Sequence, residues 1–138
     1  MQDEKLIAEY YFLIKEKIIN GHFISAVTSA EKFVQEFPQC ELTHYLKGIC
    51  HFMLQEYEIS INSYEKVLEI NPEFARAYYN LGVAYFFVEQ TDKALTNIAK
   101  ALIIFDKRKE EGAKQKCIES LEFIQKEIEA HKKWNTFC

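Results

Sequence analysis

Glycine and proline are scarce in this chain of 138 residues, with 4 and 2 copies. So little punctuation excludes a turn-rich β architecture and leaves room for long helices. No stretch alternates apolar and polar residues as a half-buried strand does. No apolar run reaches the ~20 residues needed to cross a bilayer, so no membrane partner is expected. Cys40, Cys50, Cys117 and Cys138 are widely spaced, with no CxxC pair, which fits reduced thiols better than a disulfide framework. The start, MQDEKLIAEYYF, is acidic and then amphipathic, unlike the basic-then-apolar order of a secretion signal. A cytoplasmic location is the expectation. A net charge of -4 argues against general binding to nucleic acid or anionic membrane. No Gly-rich phosphate loop, HExxH or GxSxG occurs, and Glu110-Glu111 lie in a charged, solvated run. Neither an enzyme nor a cofactor is expected.

What the chain has is helical patterning over most of its length. Apolar residues make up 49% and charged residues 28%, an ordinary globular balance for a single domain. Leu6, Tyr10, Leu13, Ile14 and Ile18 give a first helix over 3–20, ended at Asn20-Gly21-His22. A second helix runs from about Phe23 to Phe37 and stops at Pro38. A third covers about 40–54, and after Gln55-Glu56-Tyr57 a fourth covers about 58–70. Asn71 and Pro72 suit the cap and first position of a fifth helix. Thr91 and Asp92 offer a cap and acidic first turn to a sixth. A last helix spans about 110–132. In it Cys117, Ile118, Leu121, Ile124 and Ile128 fall on one stripe and Lys116, Glu119, Glu122, Lys126, Glu127 and Glu129 on the rest. The tail 133–138, with Trp134 and Phe137, is expected to be disordered, as termini often are. Docking of its aromatics in a groove, and an intermolecular disulfide through Cys138, are the alternatives.

These patterns recur every 34 residues. Pro38, Pro72 and Asp106 share the period, as do Ala26, Ser60 and Ala94, and Ile14, Gly48 and Gly82. Phe23, Tyr57 and Thr91 begin the three second helices at the same interval. The third copy carries Tyr78, Leu81-Gly82, Tyr85, Ala94, Ile98 and Ala101. The second keeps Gly48, Tyr64 and Pro72, with His44, Lys47 and His51 at three other places. The first keeps Tyr10, Leu13, Ala26 and Pro38, with Ile14 and Lys17 as departures. The sequence thus resembles the tetratricopeptide-repeat family over about residues 7–106. The resemblance implies an all-α, right-handed superhelix (an α-solenoid) of three antiparallel helix pairs. Repeats would span about 7–40, 41–74 and 75–108, followed by a C-terminal capping helix, in one domain. It implies a packing scheme more than a job, since such repeats bind many unrelated partners.

In that family, a second stripe on the first helix of each repeat faces a concave groove. Here it reads Ala8, Tyr11, Lys15, Ile18; then Leu42, Tyr45, Ile49, Phe52; then Arg76, Tyr79, Val83, Phe86. Ten of these twelve residues are apolar or aromatic, and a tyrosine recurs at the same place in all three. Phe12, Leu46, Met53, Asn80 and Phe87 lie beside them. An open apolar groove exceeds what a soluble monomer usually exposes, so something covers it. The leading expectation is an apolar or amphipathic helical peptide of a protein partner, which makes the chain an interaction scaffold. A second copy of the chain, in a self-assembling homo-oligomer, and internal cover by the C-terminal segment remain open. Lys15 and Arg76 suit the ends of a ligand. The family's clamp for acidic chaperone tails corresponds to Tyr11, Lys15, Leu46, Arg76 and Asn80, and with one conserved basic place it is largely absent.

Cys40, His44 and His51 share one face of the third helix. His44 and His51 are ~10 Å apart along the axis, and the remaining Cys40–His44 pair supplies too few ligands for a structural metal. No metal is expected, and both histidines read as packing residues. Cys50, mid-helix among apolar neighbours, reads as an inert thiol.

Overall fold

The structure, a computed structural model, describes residues 2–137. Among them seven helices follow one another: α1 (Gln2–Ile19), α2 (Phe23–Glu36), α3 (Glu41–Met53), α4 (Tyr57–Ile70), α5 (Ala75–Phe87), α6 (Thr91–Lys107) and α7 (Glu111–Phe137). The chain divides after Phe74 into two compact units, the first holding α1–α4 and the second α5–α7. No described helix is long and apolar enough to cross a membrane.

In the first unit α1 pairs with α2 and α3 with α4, and α3 also packs on α2. Its core joins Ile14, Ala26, Ala30, Phe33, Leu46 and Cys50, all buried. Tyr10 stacks on Phe33 with ring centroids 4.8 Å apart, and its hydroxyl donates to Glu36 Oε1 at 2.6 Å. Lys17, which departs from the repeat pattern, donates to Ser29 Oγ at 2.7 Å. The α3–α4 pair closes on Gly48, whose carbonyl accepts from the Ser60 hydroxyl at 2.6 Å while Tyr64 covers its Cα. In the second unit α5 pairs with α6, and α7 packs on α6 around Ala94, Ile98, Ala101, Phe105, Cys117 and Ile124. Lys114 reaches back to Asp106 at 2.8 Å, joining the start of α7 to the end of α6.

The turn inside each pair is the same device three times. Gly21, Gln55 and Glu89 take φ of 78°, 62° and 64°, in the left-handed region. The next N–H in each returns to the carbonyl five residues back: His22 to Lys17 at 2.8 Å, Glu56 to His51 at 2.9 Å, Gln90 to Tyr85 at 2.9 Å. This is the Schellman ending of a helix. The same three residues then open the next helix, their carbonyls accepting from Ala26, Ser60 and Ala94. Lys109, with φ of 58°, repeats the ending between α6 and α7.

Four expectations differ from the structure. Pro72 does not begin α5; Asn71 Oδ1 accepts the Glu73 N–H at 3.1 Å in a local turn, and the helix starts at Ala75. The cap of α6 is Gln90, without a side-chain bond, and Thr91 is the first helical residue. Leu13, expected to pack, is exposed. The C-terminal helix continues through Trp134 to Phe137, because no Gly or Pro interrupts it after Gly112. Cys138 lies outside the described residues.

Candidate functional site

In the second unit, the outer stripe of α5 meets one face of α7. Tyr79, Val83 and Phe86 line one wall of an open cleft of about 420 Å³, with Phe87 at its edge and Ile98 at its floor. Lys116, Glu119, Ser120, Phe123 and Ile124 of α7 supply the other wall. The walls are joined at one end by polar contacts. Tyr79 Oη and Ser120 Oγ share a hydrogen bond of 2.8 Å, and the Lys116 ammonium lies 5.2 Å from the centre of the Tyr79 ring. At the other end Phe86 meets Phe123 edge-on at 5.8 Å and Phe87 at 6.0 Å. Phe87 and Phe123 remain 51% and 55% exposed, so aromatic surface faces solvent at the mouth. Arg76 is exposed one turn before Tyr79 on α5, and Asn80 beside it is half-buried. The cleft offers apolar contact with a few polar groups grouped at one end, the usual make-up of a ligand site.

Sequence reasoning missed the α7 half of this cleft. Lys116, Ser120 and Phe123 are spaced i, i+4, i+7 and form a second stripe beside the packing stripe of Cys117, Leu121, Ile124 and Ile128. The signal was one aromatic, Phe123, among the charged residues of an otherwise wet face.

In the first unit the anticipated residues are divided between packing and surface. Tyr11, Ile18 and Ile49 pack against the core. Tyr45 lies 4.9 Å from the Phe74 ring and 6.1 Å from Tyr64, and Phe52 lies 5.3 Å from Tyr57. Leu42 is half-buried. Lys15 is exposed, its ammonium 5.6 Å from the Tyr11 ring centre. Phe12 is 67% exposed and meets Tyr11 edge-on. Leu46, which corresponds to one place of the chaperone-tail clamp, is in the core and can offer nothing to a ligand.

The two packing histidines differ in detail. His44 Nε2 lies 2.8 Å from the Pro38 carbonyl oxygen. His51 is 5% exposed, with Nδ1 3.2 Å from Glu56 Oε1 and Nε2 3.8 Å from Glu31 Oε1. Among the described residues no group of three or more metal-ligating side chains comes together. Burial pushes the Cys50 thiol up to about 12, which suppresses its nucleophilic form at neutral pH.

Helix pairs closing on a small residue, the shared turn and the 34-residue period together define a class, the helical-repeat proteins. Two family models match the chain, one described as a TPR repeat over residues 51–86 and one as a tetratricopeptide repeat over residues 75–104. Residues 51–104 thus carry tetratricopeptide repeats, and the chain has an all-α solenoid fold. It is similar to the type III secretion translocator chaperone SycD of Yersinia enterocolitica, with a TM-score of 0.84 at 15% identity, covering 91% of this chain and 96% of that one. It is also similar to PcrH, solved in complex with the chaperone-binding region of PopD: TM-score 0.83, 15% identity, 90% and 94% covered. The TPR2B domain of yeast Sti1, solved in a complex with pHsp70, gives a TM-score of 0.82 at 16% identity, with 88% and 97% covered. No curated protein matches the sequence.

Proposed function

We propose that this protein is a non-catalytic interaction module that holds an apolar or amphipathic segment of a partner protein against the first helices of its repeats. The observation that carries the reading is the aromatic cleft between α5 and α7, where Tyr79, Val83, Phe86, Phe87 and Phe123 offer apolar walls to solvent. Buried apolar side chains of a ligand gain ~25 cal/mol per Å², so one bulky side chain seated there is a useful anchor. The similar structures support it, since PcrH and the Sti1 domain were solved with segments of other proteins. Of the anticipated stripe in the first unit, Phe12 and Lys15 are the exposed residues and offer that unit its own contact surface in this reading, and Arg76 and Asn80 flank the cleft of the second. A second reading, self-association, is favoured by the exposure of Phe12, Ile19 and Ile24 in the first unit, the last two at 73% and 76%. Solution mass across a concentration series separates the two, because only self-association gives a mass above 16.3 kDa that falls on dilution.

The test is selection of random 12-residue peptides displayed on phage against the full chain. Peptides with bulky apolar residues are expected to be enriched, and to be lost on a variant with Phe87→Asp and Phe123→Asp. Equal retention by the variant, or no enrichment, would overturn the proposal.

A further inference from the structure

The face of α7 that walls the cleft continues past the end of the cleft. Lys116, Ser120, Phe123, Glu127, Ala130 and Trp134 follow one another at steps of four, three, four, three and four. Such steps keep to one face of a helix, as in the seam of a coiled coil. Lys116, Ser120 and Phe123 line the cleft. From 129 to 136 every residue is exposed, and Trp134, the one tryptophan of the chain, is 67% exposed. Helical turns without tertiary packing are marginal in water, so this end of α7 calls for a partner. The cleft of the same copy cannot take the tryptophan. Trp134 lies eleven residues beyond Phe123 on one unbroken helix, ~16 Å away along its axis.

We infer that the chain forms a two-fold dimer in which α7 pairs antiparallel with α7 of a second copy, and Trp134 of each copy enters the cleft of the other. The sequence of α7 is complementary to its own reverse. With the axis near Glu127, Trp134 of one copy stands opposite Ser120 of the other, and the small Ala130 stands opposite Phe123. Lys133 falls beside Glu119 and Glu122, and every contact occurs twice. Lys126 and Glu127 of the two copies meet at the centre, one charge of each sign per copy. Each tryptophan takes ~150–250 Å² of surface out of water, and the pairing supplies the packing that 129–136 lack. The inference goes beyond the partner-binding reading. The second copy closes the cleft, and a partner segment has to displace it.

The test is light scattering after size exclusion on the full chain, from micromolar to millimolar concentration. The expected mass at the top of the series is about twice 16.3 kDa, falling on dilution. Emission of the single tryptophan is expected to move to longer wavelength over the same dilution. Trp134→Ala should raise the dissociation constant about thirtyfold or more, the effect of a hot-spot side chain. Lys133→Glu should weaken the dimer about fivefold, and adding Glu122→Lys should restore it. All three residues are exposed, so the variants should fold, and circular dichroism melts check this. A peptide from the selection above should convert the dimer to monomer. A monomer at every concentration, a dimer that keeps its strength in Trp134→Ala, or a peptide that binds with the dimer intact would overturn this inference and leave the partner-binding reading standing. A dimer that depends on Trp134, on a chain that enriches no peptide, would uphold it and overturn that reading alone.

Discussion

One place in the repeat shows how a single side chain sets the spacing of two helices. A Cβ at Gly82 would lie 2.6 Å from Ile98 Cγ1 and 2.9 Å from the Ala94 carbonyl oxygen. At Gly48 the nearest atoms belong to the Tyr64 ring, at 2.6 Å. Both pairs are built so close that only glycine fits. Gly82→Ala is expected to destabilise by ~1–3 kcal/mol, as overpacking does, and to cost more than Gly48→Ala because backbone cannot move aside. The counterpart in the first repeat, Ile14, is fully buried. Here a side chain fills the place that glycine leaves empty in the other two repeats, so Ile14→Ala is expected to cost ~2–5 kcal/mol by opening a cavity. Urea denaturation of the three variants checks the order. These positions were legible in the sequence as a series of small residues on one period, but Ile14 looked like a lapse from the pattern. The structure makes it a different packing solution.

Cys50 carries a second residue-scale expectation. Its thiol is raised to about 12 by burial, against about 8.5 in an unfolded chain. A group raised on folding contributes stability that is complete below the unfolded value and lost as pH climbs towards the folded one. Urea midpoints should therefore fall between pH ~8.5 and 11. In Cys50→Ala the fall should be shallower, from a lower starting stability at pH 7. An unchanged slope would show that Cys50 does not carry the effect.

At the scale of elements, the helices were readable from periodicity while their joints were not. The break at Asn20-Gly21-His22 announced itself through glycine. The equivalent turns at Gln55 and Glu89 adopt the same left-handed φ with ordinary side chains, a conformation costing ~1–2 kcal/mol per residue outside glycine. Gln55→Gly and Glu89→Gly are expected to stabilise by ~0.5–1 kcal/mol each, net of the greater freedom glycine gains on unfolding. Thermal melts would show it, and a loss of stability in both would mean that the side chains make contacts worth more than the strain. Pro72 misled in the opposite direction. Proline suits a helix start, but here Asn71-Pro72 folds into a turn held by the Asn71 side chain, and Phe74 follows before the helix begins. The tail was read as loose because it is terminal, yet α7 runs on through Trp134. The α7 wall of the cleft escaped notice for a related reason. A charged face normally reads as solvated, and the spacing of Lys116, Ser120 and Phe123 gains meaning only once Tyr79 and Phe86 are placed opposite them.

For the whole molecule, the 34-residue period was enough to give the fold class and the small residues on which pairs of helices close. On α5 the stripe of aromatic residues lines the cleft while also packing on the core, and on α3 the same stripe is largely taken up by packing. There Tyr45 and Phe52 lie against Phe74, Tyr64 and Tyr57 within their own unit. Packing and binding draw on the same residue types, so an apolar stripe alone does not tell which use it serves. The most direct measurement is an NMR titration of the isotope-labelled full chain with a peptide selected on it, following backbone amide shifts. Binding in the cleft would shift Tyr79, Val83, Phe86, Ser120 and Phe123 and leave Ile24 and Ile103 in place. Shifts centred on Ile24 or Ile103, with α5 and α7 unmoved, would contradict the assignment of the cleft as the binding site.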